Sequence, residues 1–248
     1  MTFKDHFSTQ SGDYAAFRPT YPDTLFDWLT SQCPEHELAW DCATGNGQAA
    51  AGLSPHFKKV IATDASAEQI AHASGPDNVS FQVAQAESSD LKNGSADLVT
   101  VAQAAHWFDL PAFYTEVRRV LKPRGVIALW GYGRLVLPGI LDKPFEHFYS
   151  GILGPYWPPE RRLIDDGYRS LDFPFDEFQP PDFLIEVEWN LPRLLAYLST
   201  WSAVKRYQTD NGITPLGDLE SRLKESWGEP SRPLALKWPL FVRAGLLK

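Results

Sequence analysis

Leu38-Ala39-Trp40-Asp41-Cys42-Ala43-Thr44-Gly45-Asn46-Gly47-Gln48-Ala49-Ala50 decides the fold of this 248-residue chain. It reads as a buried strand, a tight glycine turn and the start of a helix. Gly45 and Gly47 free the backbone for a sharp turn and leave no Cβ between it and a ligand. The helix opening at Gln48 offers unpaired N–H groups to an acceptor. Downstream, Lys59-Val60-Ile61-Ala62-Thr63-Asp64 reads as a second strand ending in an acid. That acid follows the glycines by about 20 residues, the spacing at which a carboxylate can take both hydroxyls of a ribose. A glycine turn with that acid points to an adenosyl cofactor and leaves its kind open.

Working outward, the same alternation continues. A strand is expected over Val79 to Val83 and a fourth over Ala96 to Val101. The fourth runs into Gln103-Ala104-Ala105-His106-Trp107-Phe108-Asp109. A helix is expected from Pro111 to Leu121, with Phe113, Val117, Val120 and Leu121 on its inner side and Glu116, Arg118 and Arg119 on a solvated face. Lys122-Pro123-Arg124-Gly125 makes a turn before a fifth strand, Val126 to Trp130. Ser66, with Gln69 three residues on, has the spacing of a helix cap. Strands alternating with helices argue for a parallel sheet covered on both faces.

The pattern changes after Gly133. Twelve prolines and glycines punctuate residues 134–181, beginning with Pro138 and Gly139, and mark an insertion of short helices. A strand is expected over Phe183 to Trp189, one continuous helix over Leu191 to Tyr207, another over Leu216 to Trp227, and a closing strand over Leu234 to Val242. The chain therefore reads as a single domain with four parts. Residues 1–34 form an arm, 35–133 a cofactor-binding core, 134–207 an acceptor lid, and 208–248 a C-terminal helix and strand.

Composition narrows the function. With 44% hydrophobic and 22% charged residues the chain is an ordinary globular protein. A formal net charge of −8 repels phosphate backbones, so nucleic acid is not an expected partner. Cys33 and Cys42 form neither a disulfide framework nor a zinc pattern, and no metal is expected. No run reaches the roughly 18 apolar residues of a membrane span, and a cytoplasmic setting is expected. Nine Trp, nine Tyr and fifteen Phe are a heavy aromatic load, concentrated after residue 130, where aromatics among prolines line a pocket or lid.

Two cofactors compete for the glycine turn. Gly45-Asn46-Gly47-Gln48-Ala49-Ala50 matches G-x-G-x-x-A, a nicotinamide-dinucleotide fingerprint. Against that, Asp41 stands four residues before the first glycine. An anion there repels a pyrophosphate and suits the ammonium or sulfonium side of a methionine. Ala86-Glu87 follows the third strand in a turn where an adenine edge would lie, and no second catalytic domain follows the fifth strand.

Asp41 to Gly47, Asp64, Ala86-Glu87, the Asp97-Leu98-Val99 strand with His106-Trp107-Phe108-Asp109, and Glu116 to Gly125 resemble successive motifs of class I S-adenosylmethionine-dependent methyltransferases. The resemblance covers roughly residues 35–133. Tyr14, Arg18, Pro19 and Tyr21-Pro22, with Leu198-Ser199-Thr200-Trp201-Ser202-Ala203, resemble more loosely the small-molecule branch that includes trans-aconitate methyltransferases. The resemblance implies an α/β, Rossmann-like sheet of seven strands, five parallel plus a final antiparallel hairpin, with helices on both faces. It implies S-adenosyl-L-methionine as cofactor. Asp41, Ala43, Gly45 and Gly47, with Thr44 and Gln48 of the same turn, would surround the methionine moiety and ribose. Asp64 would hold the ribose hydroxyls, Ala65 would lie against adenine near Gln69, and Ala86 or Glu87 would meet the adenine amino group. Gln103 and Ala104 would floor the sulfonium site, with Trp107 as a wall. Ala43 departs from the glycine usual in the family.

Methyl transfer from a sulfonium is an in-line displacement with a neutral leaving group, so positioning residues matter most. His106, at the open carboxyl end of the sheet, could take a proton from an acceptor hydroxyl or hydrogen-bond a carboxylate. Tyr14 and Arg18 are expected as a flap over the cofactor, and Arg134, Arg161 and Arg162 as candidate partners for an anionic acceptor. The expected activity is methylation of a small organic molecule at a carboxylate or hydroxyl oxygen. A cofactor-binding protein without turnover and a nicotinamide-dependent reductase are the alternatives.

Overall fold

The computed structural model describes residues 19–247. The first helix, α1 (Asp23–Ser31), precedes strand β1 (Leu38–Cys42), which leads through the glycine turn into α2 (Gln48–Leu53). Then come β2 (Lys59–Asp64), α3 (Ala67–His72), β3 (Val79–Val83), β4 (Ala96–Ala102), α4 (Leu110–Val120) and β5 (Leu121–Tyr132). Strands β1 to β5 pair in parallel in the order β3-β2-β1-β4-β5. The order reverses between β1 and β4, and in such sheets ligands bind at the carboxyl ends of the strands beside that reversal. Asp97 pins the start of the arrangement. Its buried carboxylate accepts the main-chain N–H groups of Glu37 and Leu38, each at 2.8 Å, and pairs with Lys122 at 2.7 Å.

A long final strand, β8 (Leu234–Leu246), runs antiparallel to β5, with Tyr132 opposite Leu240 and Val126 opposite Leu246. Its outer edge carries the two-residue β6 (Asp176–Glu177) and β7 (Phe183–Trp189), both antiparallel to it. The expected seven strands are thus present, with β6 as an additional short segment. Leu234 to Pro239 lie past the end of the β5 pairing, held by β7 and by a single bridge from Lys237 to Val136, so the β7–β8 ribbon projects beyond the carboxyl edge of the parallel sheet.

That ribbon carries the lid. Between β5 and β6 lie the short helices α5 (Asp142–Glu146) and α6 (Arg161–Asp165), separated by a π-helical turn, His147–Ile152. Between β7 and β8 lie α7 (Leu191–Ser199), α8 (Ser202–Asn211) and α9 (Leu216–Trp227). The expected continuous helix over Leu191 to Tyr207 is broken at Trp201, which is extended (φ −68°, ψ 136°). Helical periodicity persists across the break. The ring of Trp201 instead seats among Tyr149, Trp157 and Tyr197, at 5.8, 5.3 and 5.7 Å between centroids, and that packing outweighs propensity.

Among the described residues, most buried apolar side chains fall into three clusters. Leu25, Leu29, Ala50, Leu53, Val60 and Trp130 pack one face of the sheet. Trp40, Val99, Phe113, Val117 and Leu129 pack the other. The lid keeps a separate core rich in large rings, among them Phe145, Phe148, Trp189, Tyr197 and Trp238. Glu116 and Arg119 do not form the expected solvated face. Glu116 is buried, accepts from the N–H and hydroxyl of Ser89, and holds Arg119 at 2.6 Å, tying α4 to the β3–β4 connection.

Candidate active site

The glycine turn is built on left-handed backbone. Ala43, Gly45 and Gly47 have φ of 56°, 56° and 92°. Gly45 has open space where a Cβ would stand, whereas a Cβ on Gly47 would come within 2.8 Å of the Phe81 ring. One glycine therefore leaves room for a ligand and the other admits a neighbouring side chain. At Ala43 the usual glycine is replaced by a residue that adopts this conformation at a penalty.

Asp41 and Asp64 hold the turn from opposite sides. Asp41 is fully buried. One oxygen accepts the Thr44 hydroxyl and the other accepts the Thr100 hydroxyl at 2.9 Å. Burial pushes its carboxyl up from 3.8 to about 6, against the lowering effect of those hydrogen bonds. Asp64 is half-buried at the end of β2 and accepts the main-chain N–H groups of Gly45 and Ser66, each at 2.9 Å. Sequence spacing and structure agree in setting this carboxylate against the glycine turn. Thr44 donates its N–H to the carbonyl of Thr63, and Gln48 donates its side-chain amide to the carbonyl of Pro19 at 3.1 Å. The arm thus arrives over the start of α2. Tyr14 and Arg18 lie outside the described residues.

The remaining expected cofactor residues sit around the same edge. Ala65 is half-buried directly after Asp64, and Gln69 is buried in α3, its N–H donating to the Ser66 hydroxyl. Ala86 is buried, while Glu87 accepts the N–H of Asp109 at 3.1 Å and so joins the turn after β3 to the start of α4. Gln103, after β4, is a second non-glycine residue in left-handed conformation, with φ of 59°. Its N–H donates to the carbonyl of Trp130. Strained residues therefore flank the reversal at the ends of both β1 and β4. Such positions concentrate where a ligand is held. An open glycine, a carboxylate one strand away and strained backbone at the reversal fit an adenosyl group.

Ala104 precedes the short turn Ala105–Trp107, which presents His106 and Trp107 side by side, ring centroids 4.6 Å apart. The Nδ1 of His106 lies 2.8 Å from the Tyr168 hydroxyl of the lid. Burial, reinforced by the Arg161 guanidinium, pulls its pKa from 6.5 to about 3, so the ring is neutral at neutral pH. Arg161 stacks over Trp157 at 4.9 Å and donates through Nε to the Tyr149 hydroxyl and to Asp165. Arg134 is already saturated by Asp142 and Glu146, at 2.7 and 2.8 Å, and Arg162 is exposed. Of the three candidate arginines, Arg161 alone stands close enough to His106 to shift its titration.

A family model described as "Methyltransferase domain" matches residues 40–129. A protein of Dictyostelium discoideum assigned as a methyltransferase is 40% identical over 97% of this chain and 94% of its own length. The chain is a class I S-adenosylmethionine-dependent methyltransferase. A protein of Saccharomyces cerevisiae assigned as an S-adenosylmethionine-dependent methyltransferase is 25% identical, with 94% of each chain covered. A solved structure from Anaeromyxobacter dehalogenans, assigned as a type II methyltransferase, superposes with a TM-score of 0.90 at 42% identity, covering 93% of this chain and 98% of its own. The methyltransferase family settles the choice that the G-x-G-x-x-A match left open in favour of the sulfonium cofactor.

Sequence reading did not single out Thr100, Tyr149 or Tyr168, which the structure sets against candidate site residues. Thr100, a lone hydroxyl in an apolar strand, left a signal: a polar side chain among Leu98, Val99 and Val101 needs a partner, and Asp41 is it. Tyr149 and Tyr168 left none, because their places depend on how the lid folds back.

Proposed function

We propose that this methyltransferase modifies a small organic acid, with a carboxylate oxygen as the methyl acceptor, bound between the end of β4 and the aromatic lid. Bound S-adenosyl-L-methionine supplies a methyl group on a sulfonium, and the departing thioether is neutral. Asp64 holds the ribose hydroxyls, Ala65 and Gln69 border the adenine, and Ala86 or Glu87 meets its amino group. Asp41, through Thr44, keeps Ala43, Gly45, Gly47 and Gln48 shaped around the methionine end. Gln103, Ala104 and Trp107 floor and wall the reacting centre.

The observation that carries the acceptor class is the neutral His106 beside the Arg161 guanidinium. An imidazole whose pKa is held near 3 is too weak a base to take a proton from a hydroxyl at neutral pH. A carboxylate is already an anion and needs no proton removed. A neighbouring guanidinium favours it, and the looser resemblance to the trans-aconitate branch points the same way. His106 then serves as a hydrogen-bonding group for the acceptor.

Labelled S-adenosylmethionine incubated with the protein and a low-molecular-weight metabolite extract tests this. The expected label appears in small molecules and is released by mild alkali, as methyl esters are. Alkali-stable label would identify a hydroxyl or other acceptor. Label confined to macromolecules, or no transfer despite cofactor binding, would overturn the small-molecule reading, the latter in favour of a binding protein without turnover.

A further inference from the structure

We infer that Tyr168 is a positioning residue that fixes His106 with its proton on Nε2, making that nitrogen a hydrogen-bond donor to an anionic acceptor oxygen. This rests on the reading of His106 as part of the acceptor site. Tyr168 lies in the lid, 62 residues from His106 in sequence, and its hydroxyl is 2.8 Å from Nδ1. The distance alone leaves open which group donates. The surroundings decide it.

Burial keeps the phenol protonated, so it has one hydrogen to give. Among the described residues Nδ1 is the hydroxyl's hydrogen-bond partner, and so the acceptor in reach. A neutral imidazole carries one N–H and one bare nitrogen. With Nδ1 bare, the proton is on Nε2. A doubly protonated ring is disfavoured by its burial and by Arg161.

Tyr168 is held rigidly enough for this role. It is fully buried, with φ of 58°, a conformation a tyrosine keeps only where its surroundings impose it. Its ring meets the edge of Phe241 at 4.9 Å. Its carbonyl accepts Arg243 at 2.9 Å, and Arg243 is clamped in turn by both oxygens of Glu177 at 2.8 Å. The lid thereby sets the proton on a residue of the sheet, and an Nε2–H near a guanidinium selects an oxygen anion over a cationic or donor acceptor.

Nitrogen-15 NMR of histidine-labelled protein bound to S-adenosylhomocysteine at neutral pH tests the assignment, with His106→Gln identifying the resonance. The wild type is expected to show a protonated Nε2 and a bare Nδ1. Tyr168→Phe is expected to give a tautomer mixture and to lower methyl transfer into the metabolite extract about tenfold, with S-adenosylhomocysteine affinity unchanged. His106→Gln, whose amide N–H reaches the Nε2 place, should keep more transfer than His106→Asn. A wild-type proton on Nδ1, or a Tyr168→Phe variant with unaltered tautomer and turnover, would overturn the inference. Failure of the acceptor-site reading looks different: no small molecule is labelled by any variant, while the NMR arm still reads the tautomer.

Discussion

The sheet and the lid of this methyltransferase shape their edges by different means. The sheet's two faces are filled mostly by aliphatic side chains on regular strands and helices, and its ligand-facing edge is shaped by backbone: the glycine turn, Ala43 and Gln103. The lid's own core is also mostly aliphatic, with seven rings among its 20 buried residues on short helices and an irregular ribbon, but its polar groups are side chains: Arg161, Tyr149, Tyr168. A cofactor common to many enzymes is held by geometry that many sequences can make. An acceptor is chosen by side chains that only one packing brings together.

The largest expected effect comes from breaking the lid's core. Trp238 is fully buried between Tyr132, Trp189 and Tyr197. Trp238→Ala is expected to remove about 3–5 kcal/mol of stability, measured as the shift in denaturant midpoint at constant slope. Affinity for S-adenosylhomocysteine should stay near the wild-type value if the sheet alone holds the cofactor. Its loss would erase the distinction between the two regions.

A pH experiment sharpens the comparison on the sheet side. The Asp41 carboxyl rises from 3.8 in the unfolded chain to about 6 in the folded one. The folded state thus binds the extra proton between those values, and stability is lost as pH climbs from 4 to 6. Asp41→Asn removes this group, and wild type relative to the variant should lose about 2 kcal/mol across that window. His106 has the opposite sign, since its folded pKa is depressed, but it is common to both proteins and cancels in the difference. A flat difference would mean that Asp41 is solvated.

The smallest effect belongs to the turn itself. Ala43→Gly relieves left-handed strain and should raise stability by about 1 kcal/mol, or about 2–4 °C in Tm. An unchanged or lower Tm would show that the alanine methyl makes compensating contacts.

The same contrast explains what could be read from the sequence. Strands β1, β2 and β4 were legible because their apolar runs end at the glycines, Asp64 and Gln103, each marking a local turn. Glu116 and Arg119 misled because a charged pair at helical spacing looks solvated until Ser89 folds over it. Trp201 misled because its ring, seated against distant Tyr149 and Trp157, interrupts a helix that periodicity alone would continue. Tyr168 was silent, being held by Phe241 and Arg243 at the far end of the chain.

The central claim is that the edge formed by Asp64 and the glycine turn holds the adenosyl cofactor. Calorimetric titration of S-adenosylhomocysteine into wild type and Asp64→Ala tests it most directly, with the fold of the variant checked by its denaturation midpoint. One site per chain in the wild type, weakened by about 2–4 kcal/mol in the variant, is the expected result. Equal affinity in the two proteins, or no binding to the wild type, would contradict it.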